Sequence, residues 1–276
     1  MLKNIVFCIV VLSAVFTFGA DEAVLLRYSF EPSAVTKWNV VHRTLNNTTM
    51  KETTIDTETY SESEKIWKVI QVKPNGGAVI ENSVAWVNLW QDITGKPRVS
   101  YDSRKDAEPS PGYERVKSMI NVPLAQIELD ARGNVVNRKD FFPQSELQLL
   151  NPVQLTVPFP ENPVYVGDTW RVEQTLYIPK PGSTILKVKT VKTFTLESLQ
   201  DNIAQITYKT RVLTPIHDPT TEAQIVQCRA KGEMKFDVKA GKSLEHVLSL
   251  NHSVPHFSGD ASIVKHKNRS IETLIQ

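Results

Sequence analysis

Cysteine is almost missing from this chain: in 276 residues only Cys8 and Cys228 carry a thiol. Cys8 lies in an apolar N-terminal run that reads as a leader, so one thiol remains once that run is removed. This excludes an intramolecular disulfide framework and a cysteine-rich zinc module. A charge excess is missing too. Lys and Arg number 32 against 30 Asp and Glu, which gives no electrostatic case for nucleic acid or an anionic membrane surface. There is no G-x-S-x-G, H-E-x-x-H, paired C-x-x-C, Walker loop or G-x-G-x-x-G, so the common catalytic and cofactor signatures are absent. The longest apolar run, Ile5 to Phe18, is about 14 residues, short of the ~20 that a bilayer-spanning helix needs.

What is present begins with that run. Lys3 precedes it, and Gly19, Ala20 and the acidic pair Asp21-Glu22 follow. A positive head, an apolar middle and small residues at the exit make a secretory signal peptide. Cleavage after Gly19 puts Thr17 at the third position back, whereas cleavage after Ala20 puts bulky Phe18 there; residues 1–19 are therefore assigned to the signal. Val11-Leu12-Ser13-Ala14 leads toward a lipoprotein site, but Val15 stands where the cysteine would be. The expectation is a soluble exported protein, periplasmic or extracellular, with no stable membrane anchor after cleavage. An uncleaved N-terminal anchor is the open alternative. The mature chain, roughly 255 residues, is large enough to bury a core without staples. Sequons at Asn46, Asn47, Asn251 and Asn268 matter only in a host that glycosylates.

Period-2 alternation dominates the remainder. From Val226 to Val238 the even positions include Val226, Cys228, Met234 and Phe236, while the odd ones include Arg229, Lys231, Glu233 and Lys235. One face is apolar and the other wet, as in an antiparallel sheet. That parity places Cys228 in the core, with no His or basic partner on its face. Further strands are expected at Val24–Phe30, Val35–Leu45, Thr53–Val72, Ala78–Trp90, Leu124–Asp130, Val135–Lys139, Thr169–Ile178, Thr184–Leu199, Ile203–Val212, Ser243–Val254 and Ala261–Lys267. Several exceed the usual ~5–6 residues, which suits a wide, bent sheet. One short helix is expected at Gly112–Ile120. The fold class is all-β, mainly antiparallel, with a curved or half-barrel-like sheet.

The chain also reads as a duplicated β unit. Trp38 opens a strand after Phe30-Glu31-Pro32, and Trp170 opens one after Phe159-Pro160. Each is followed by a long Thr-rich strand, a third strand and a hairpin: Asp130-Ala131-Arg132-Gly133 in the first copy, Asp237 to Gly241 in the second. Asp can cap such a turn and Gly supplies positive φ. The expected division is 20–142 for the first copy, 143–163 for a Pro-rich connection and 164–276 for the second, with one continuous domain as an open alternative.

On Val166-Gly167-Asp168-Thr169-Trp170 and the Phe236-Asp237-Val238 to Gly241 hairpin, the chain resembles a family of exported bacterial proteins of unknown function. They share a signal peptide, a mid-chain VGDTW and a closing FDV-x-x-G. The architecture is more distantly similar to half-barrel carriers that move lipoproteins or lipids across a periplasm. That resemblance implies a curved sheet cradling acyl chains under a helical lid, with Gly112–Ile120 as the lid, and it implies no catalytic residues.

The chemistry-bearing residues are sparse. Four of the six histidines, His246, His252, His256 and His266, lie near the C-terminus. His246 and His252 share a strand face roughly 20 Å apart, too far to share a metal unaided, so no metal or cofactor is expected. His217 and Asp218, in Thr214-Pro215-Ile216-His217-Asp218-Pro219, are the weak catalytic candidates, an acid–base pair set against a simple turn around Asp-Pro. Trp67, Trp86 and Trp90 are a sugar platform or, more in keeping with their apolar neighbours, core residues. The leading expectation is a non-enzymatic binder of a lipid or other apolar ligand, or of an envelope protein. A hydrolase of envelope or polysaccharide material and a structural cell-surface component stay open.

Overall fold

The computed structural model describes residues 23–143, 155–180 and 184–275. The expected signal peptide and most of the Pro-rich connection lie outside the described residues. Among the described residues twelve antiparallel strands make one open, curved sheet. They are β1 (Val35–Met50), β2 (Thr53–Val72), β3 (Ala78–Ile93), β4 (Val99–Asp102), β5 (Pro123–Leu129), β6 (Val135–Asp140), β7 (Thr169–Lys180), β8 (Thr184–Gln200), β9 (Ile203–Val212), β10 (Lys231–Asp237), β11 (Lys242–Pro255) and β12 (Ser262–Leu274). Across the sheet they run β6-β5-β3-β2-β1-β12-β11-β10-β9-β8-β7, with β4 alongside β3. The first meander steps from the middle to one edge. The second starts at the other edge and steps back until β12 pairs with β1. Both therefore advance across the sheet in the same direction.

Among the described residues two short helices accompany the sheet, α1 (Glu114–Ser118) and α2 (Pro219–Ile225), and a 3-10 turn (Val226–Arg229) follows α2. The second helix was not expected. The Asp218 carboxylate accepts from the backbone N–H of Thr220 and Thr221, both at 3.1 Å, and Pro219 pre-sets the first helical φ. That cap overrides the alternation of Val226–Val238. The strand begins only at Lys231, and Cys228 belongs to the 3-10 turn.

The expected strand at Val24–Phe30 is another correction. It joins the rest of the chain by one isolated bridge, Val24 to Val164, and otherwise lies over the sheet as a plug. We call the face it covers the inner face. Leu26 and Tyr28 are buried there with Val157 and Phe159 of the segment 155–159, against Phe194, Ile206, Tyr208 and Phe236. Tyr28 and Ser29 donate backbone hydrogen bonds to Ala131 and Gly241, the turns of the β5–β6 and β10–β11 hairpins. Both turns need glycine. Gly133 and Gly241 have φ of 83° and 64°, and a Cβ on either would come within 2.5 Å of Tyr28 or Ser29. A second core, with Trp38, Trp67, Ile80 and Ile127, fills the inner face of β1, β2, β3 and β5. A third, with Leu176, Ile178, Val188 and Ile225, forms where α2 packs on β7 and β8.

Candidate functional site

Between the first and third cores, the inner face of β7–β9 becomes polar. Along β8 the inward residues read Phe194, Lys192, Thr190, Val188, and along β7 they read Trp170, Val172, Gln174, Leu176. The register sets Phe194 opposite Tyr208, Gln174 opposite Thr190 and Leu176 opposite Val188. Gln174, Thr190, Lys192 and Thr210 thus make a belt between two apolar blocks. Neither plug segment covers this belt completely, and a cavity of about 340 Å³ stands over it. Val157 and Phe194 bound it on one side, Leu176 and Cys228 on the other.

Tyr208 closes the cavity toward the sheet centre. Its ring lies over Gly232, its cross-strand neighbour; a Cβ on Gly232 would sit 2.1 Å from that ring. Lying flat, Tyr208 places its Oη 2.7 Å from His246 Nε2. Burial raises the Tyr208 phenol well above its ordinary pKa, and burial lowers that of His246 despite the opposing charge of Glu272. A neutral phenol hydrogen-bonded to a neutral imidazole follows. This pair is satisfied, which suits a wall better than a proton-transfer device.

Lys192 supplies the charge. Its Nζ is 5.8 Å from the Tyr208 ring centroid. Burial lowers its pKa, and the electrostatic influence of Cys228 opposes the shift. Cys228 is half-buried; burial raises its thiol while the nearby Lys192 and Arg229 cations pull it down. The expectation of no basic neighbour is thus corrected, because the 3-10 turn aims Cys228 across to β8.

A smaller space of about 60 Å³ lies on the far side of His246, which lines both. Here Lys65 pairs with Glu272, and its Nζ sits 5.1 Å from the Trp38 ring and 5.2 Å from the Trp67 ring. Trp67 is buried, as expected of a core residue. Trp86 and Trp90 are not. They are half-buried on the outer face, where guanidinium carbons of Arg104 and Arg98 lie 3.9 Å and 4.1 Å from their rings and Tyr60 stacks on Trp90.

The two sequence candidates lie away from this cavity. Asp218 caps α2 and pairs with Lys180 at 2.9 Å; the Thr221 hydroxyl and Lys180 hold its carboxyl far below the usual range. His217 is exposed. Of the other histidines, His252 lies 3.3 Å from Glu222 on α2, and His266 is buried beside Asn46. Among the described residues no three His, Cys, Asp or Glu side chains gather as a metal site. The expected lid is displaced as well. α1 buries none of its residues and lines neither cavity, whereas the 3-10 turn after α2 brings Gln227 and Cys228 to the lining of the larger one.

Comparison with known proteins supports the fold first. Residues 151–243 match the model of a family of unknown function, DUF6263. The match takes in both the VGDTW and FDV-x-x-G stretches. No curated protein sequence matches the chain. A solved structure described as "Lipid-protein interactions in lipovitellin" is similar over 90% of this chain, at 12% identity and a TM-score of 0.52. The chain covers 26% of that protein, so the likeness is one of fold. A Pseudomonas aeruginosa OpdQ structure aligns over 87% of this chain, but at 5% identity and a TM-score of 0.20 it carries no argument. Among the described residues no helix is long and apolar enough to cross a membrane.

Proposed function

We propose that this protein binds an apolar small molecule in the inner-face cavity, outside the cytoplasm and after loss of residues 1–19. The observation that carries the reading is the cavity of about 340 Å³ between two buried apolar blocks, within the ~300–1,000 Å³ range of small-ligand sites. An open acyl-chain trough along the whole sheet is not part of the proposal. The segments around Leu26–Tyr28 and Val157–Phe159 already fill most of the inner face. The lipid–protein interactions described for lipovitellin are consistent with this reading, as a likeness of fold. Binding is favoured over catalysis because the polar pair in the wall, Tyr208 and His246, satisfy each other.

Native mass spectrometry of the protein purified from its own cell envelope tests the proposal. A co-purifying apolar adduct is expected; a clean apoprotein that takes up no long-chain probe contradicts it. We also infer that the scaffold is duplicated, as 20–142 and 164–276 joined by 143–163. The shared direction of the two meanders and the inward Trp38 and Trp170 support this. A sequence profile built on 164–276 that failed to match 20–142 would count against it.

A further inference from the structure

The sheet is open, so it has two edges, β6 and β7, and they are built differently. An edge strand offers unpaired N–H and C=O groups to any other strand, and proteins usually blunt it with shortness, charge, bulges or proline. β6 is blunted. It has six residues, a register shift against β5, and Arg138, Lys139 and Asp140 at its end. β7 is not blunted. It runs for twelve residues in unbroken register against β8, and its one proline, Pro179, comes just before its end.

The ladder fixes which groups β7 leaves unpaired. In β8, Lys189 bonds away from β7, to Leu213 and Thr214 beyond the end of β9. Successive residues of a strand direct their backbone groups to opposite sides. Thr190 therefore bonds toward β7, and its partner Gln174 bonds toward β8. At the start of the strand the Leu196 N–H likewise donates to the Asp168 carbonyl. The backbone groups of Thr169, Arg171, Glu173 and Thr175 thus point away from the sheet, and among the described residues no backbone group pairs with them there. The Arg171 and Glu173 side chains are exposed and make no hydrogen bond or ion pair among the described residues. Between them Val172 faces inward, packed against the first core but only half-buried.

We infer that the β7 edge is a self-association surface, on which two copies of this chain pair their β7 strands antiparallel about a two-fold axis at Val172. A two-fold interface must be its own complement, and the charges of β7 set where the axis can fall. With Val172 opposite Val172, Arg171 of each copy faces Glu173 of the other, and Thr169 faces Thr175. The outward backbone groups of each such pair then exchange both their hydrogen bonds. An axis at Arg171 or at Glu173 sets like charges opposite each other, which is destabilising. An axis at Gln174 sets Arg171 against Tyr177 and Glu173 against Thr175, so neither charge gains a counter-charge. The register at Val172 also covers that half-buried side chain with its own copy. A second copy fits better than an unrelated strand because the pattern Arg171-Val172-Glu173 complements itself when reversed. A seam this short belongs with the weak end of specific interfaces, so the dimer dissociates on dilution.

Sedimentation velocity of the full chain over roughly 1–100 μM tests the inference. The wild type is expected to pass from monomer to dimer across that range. Arg171→Glu, which sets Glu against Glu173 at both symmetry-related positions, should weaken the dimer about tenfold, and Glu173→Arg should do the same. The double exchange Arg171→Glu with Glu173→Arg should restore it. These side chains are exposed, so urea midpoints of the dilute variants should match the wild type and show that the fold is intact. A wild type that stays monomeric throughout, a dimer as tight in Arg171→Glu as in the wild type, or a double exchange that does not restore pairing would each overturn the inference. None of these outcomes bears on the ligand cavity, which native mass spectrometry tests separately.

Discussion

Two lysines on the inner face stand beside spaces of very different size. Lys65 lies in a packed block, paired with Glu272, flanked by Trp38 and Trp67, beside a space of only about 60 Å³. Lys192 lies in the wall of a cavity of about 340 Å³ with no acidic side chain in its lining. The strands that carry them follow the same alternation, and both positions point inward. The difference lies in what covers them. Beside Lys65, β12 pairs with β1 and brings Glu272 in. Beside Lys192 the 3-10 turn brings Gln227 and Cys228 to the lining and leaves the space open. A packed half and a hollow half thus share one sheet, and the hollow half is where a ligand fits.

The largest expected effects compare the packing of the two halves. Ile127→Ala, in the packed block and fully buried, should destabilise by about 2–5 kcal/mol, because a void opens in a close-packed core. Leu176→Ala, already beside an empty space, should fall at the lower end of that range. Denaturant midpoints measure both, and equal losses would argue that the cavity is filled in solution. Next comes Gly232→Ala, which should cost about 1–3 kcal/mol by forcing the Tyr208 ring off the strand. It should also break the Tyr208–His246 bond, seen as a change in the His246 imidazole resonances by NMR. Glu272→Gln should cost about 2 kcal/mol in the same unfolding assay by leaving Lys65 without its charge partner in the packed block.

The smallest effect is one of pH. Burial lowers the pKa values of His42, His246 and His266, so between their folded values and the unfolded value near 6.5 the unfolded chain binds more protons. Stability should therefore fall as pH drops below about 6.5. His246→Gln should flatten part of that slope in urea titrations at pH 7.5 and 5.5. A stability that rises on acidification would contradict the assigned neutral histidines.

Much of the sheet could be read from alternation alone. β2 was expected at Thr53–Val72 and occupies those residues. β1 runs to Met50, past the expected end at Leu45, because Asn46-Asn47-Thr48-Thr49 looks like a turn locally but is held as strand by β12 and β2 on either side. The pairing of the first and last strands is a long-range contact with no local signature. α2 was hidden because Val226 and Cys228 continue the parity of β10, while the decisive signal, Asp218-Pro219 as cap and first helical residue, read as a turn. Lys192 was legible in principle: it falls in the inward series Leu186, Val188, Thr190, Lys192, Phe194, where a charge among apolar residues marks a site. The cavity itself depends on where the chain 155–159 and the 3-10 turn settle over the sheet, which parity does not encode.

The hollow half, and not the packed one, is where the ligand is expected to bind. Ala230 lines the larger cavity, and Ala230→Phe projects a ring into it. Titrating the wild-type chain with 1-dodecanol by native mass spectrometry should give one bound molecule, and Ala230→Phe should lose it while its urea midpoint stays near that of the wild type. A wild type that takes up no probe, or an Ala230→Phe variant that binds as tightly as the wild type, would contradict the claim.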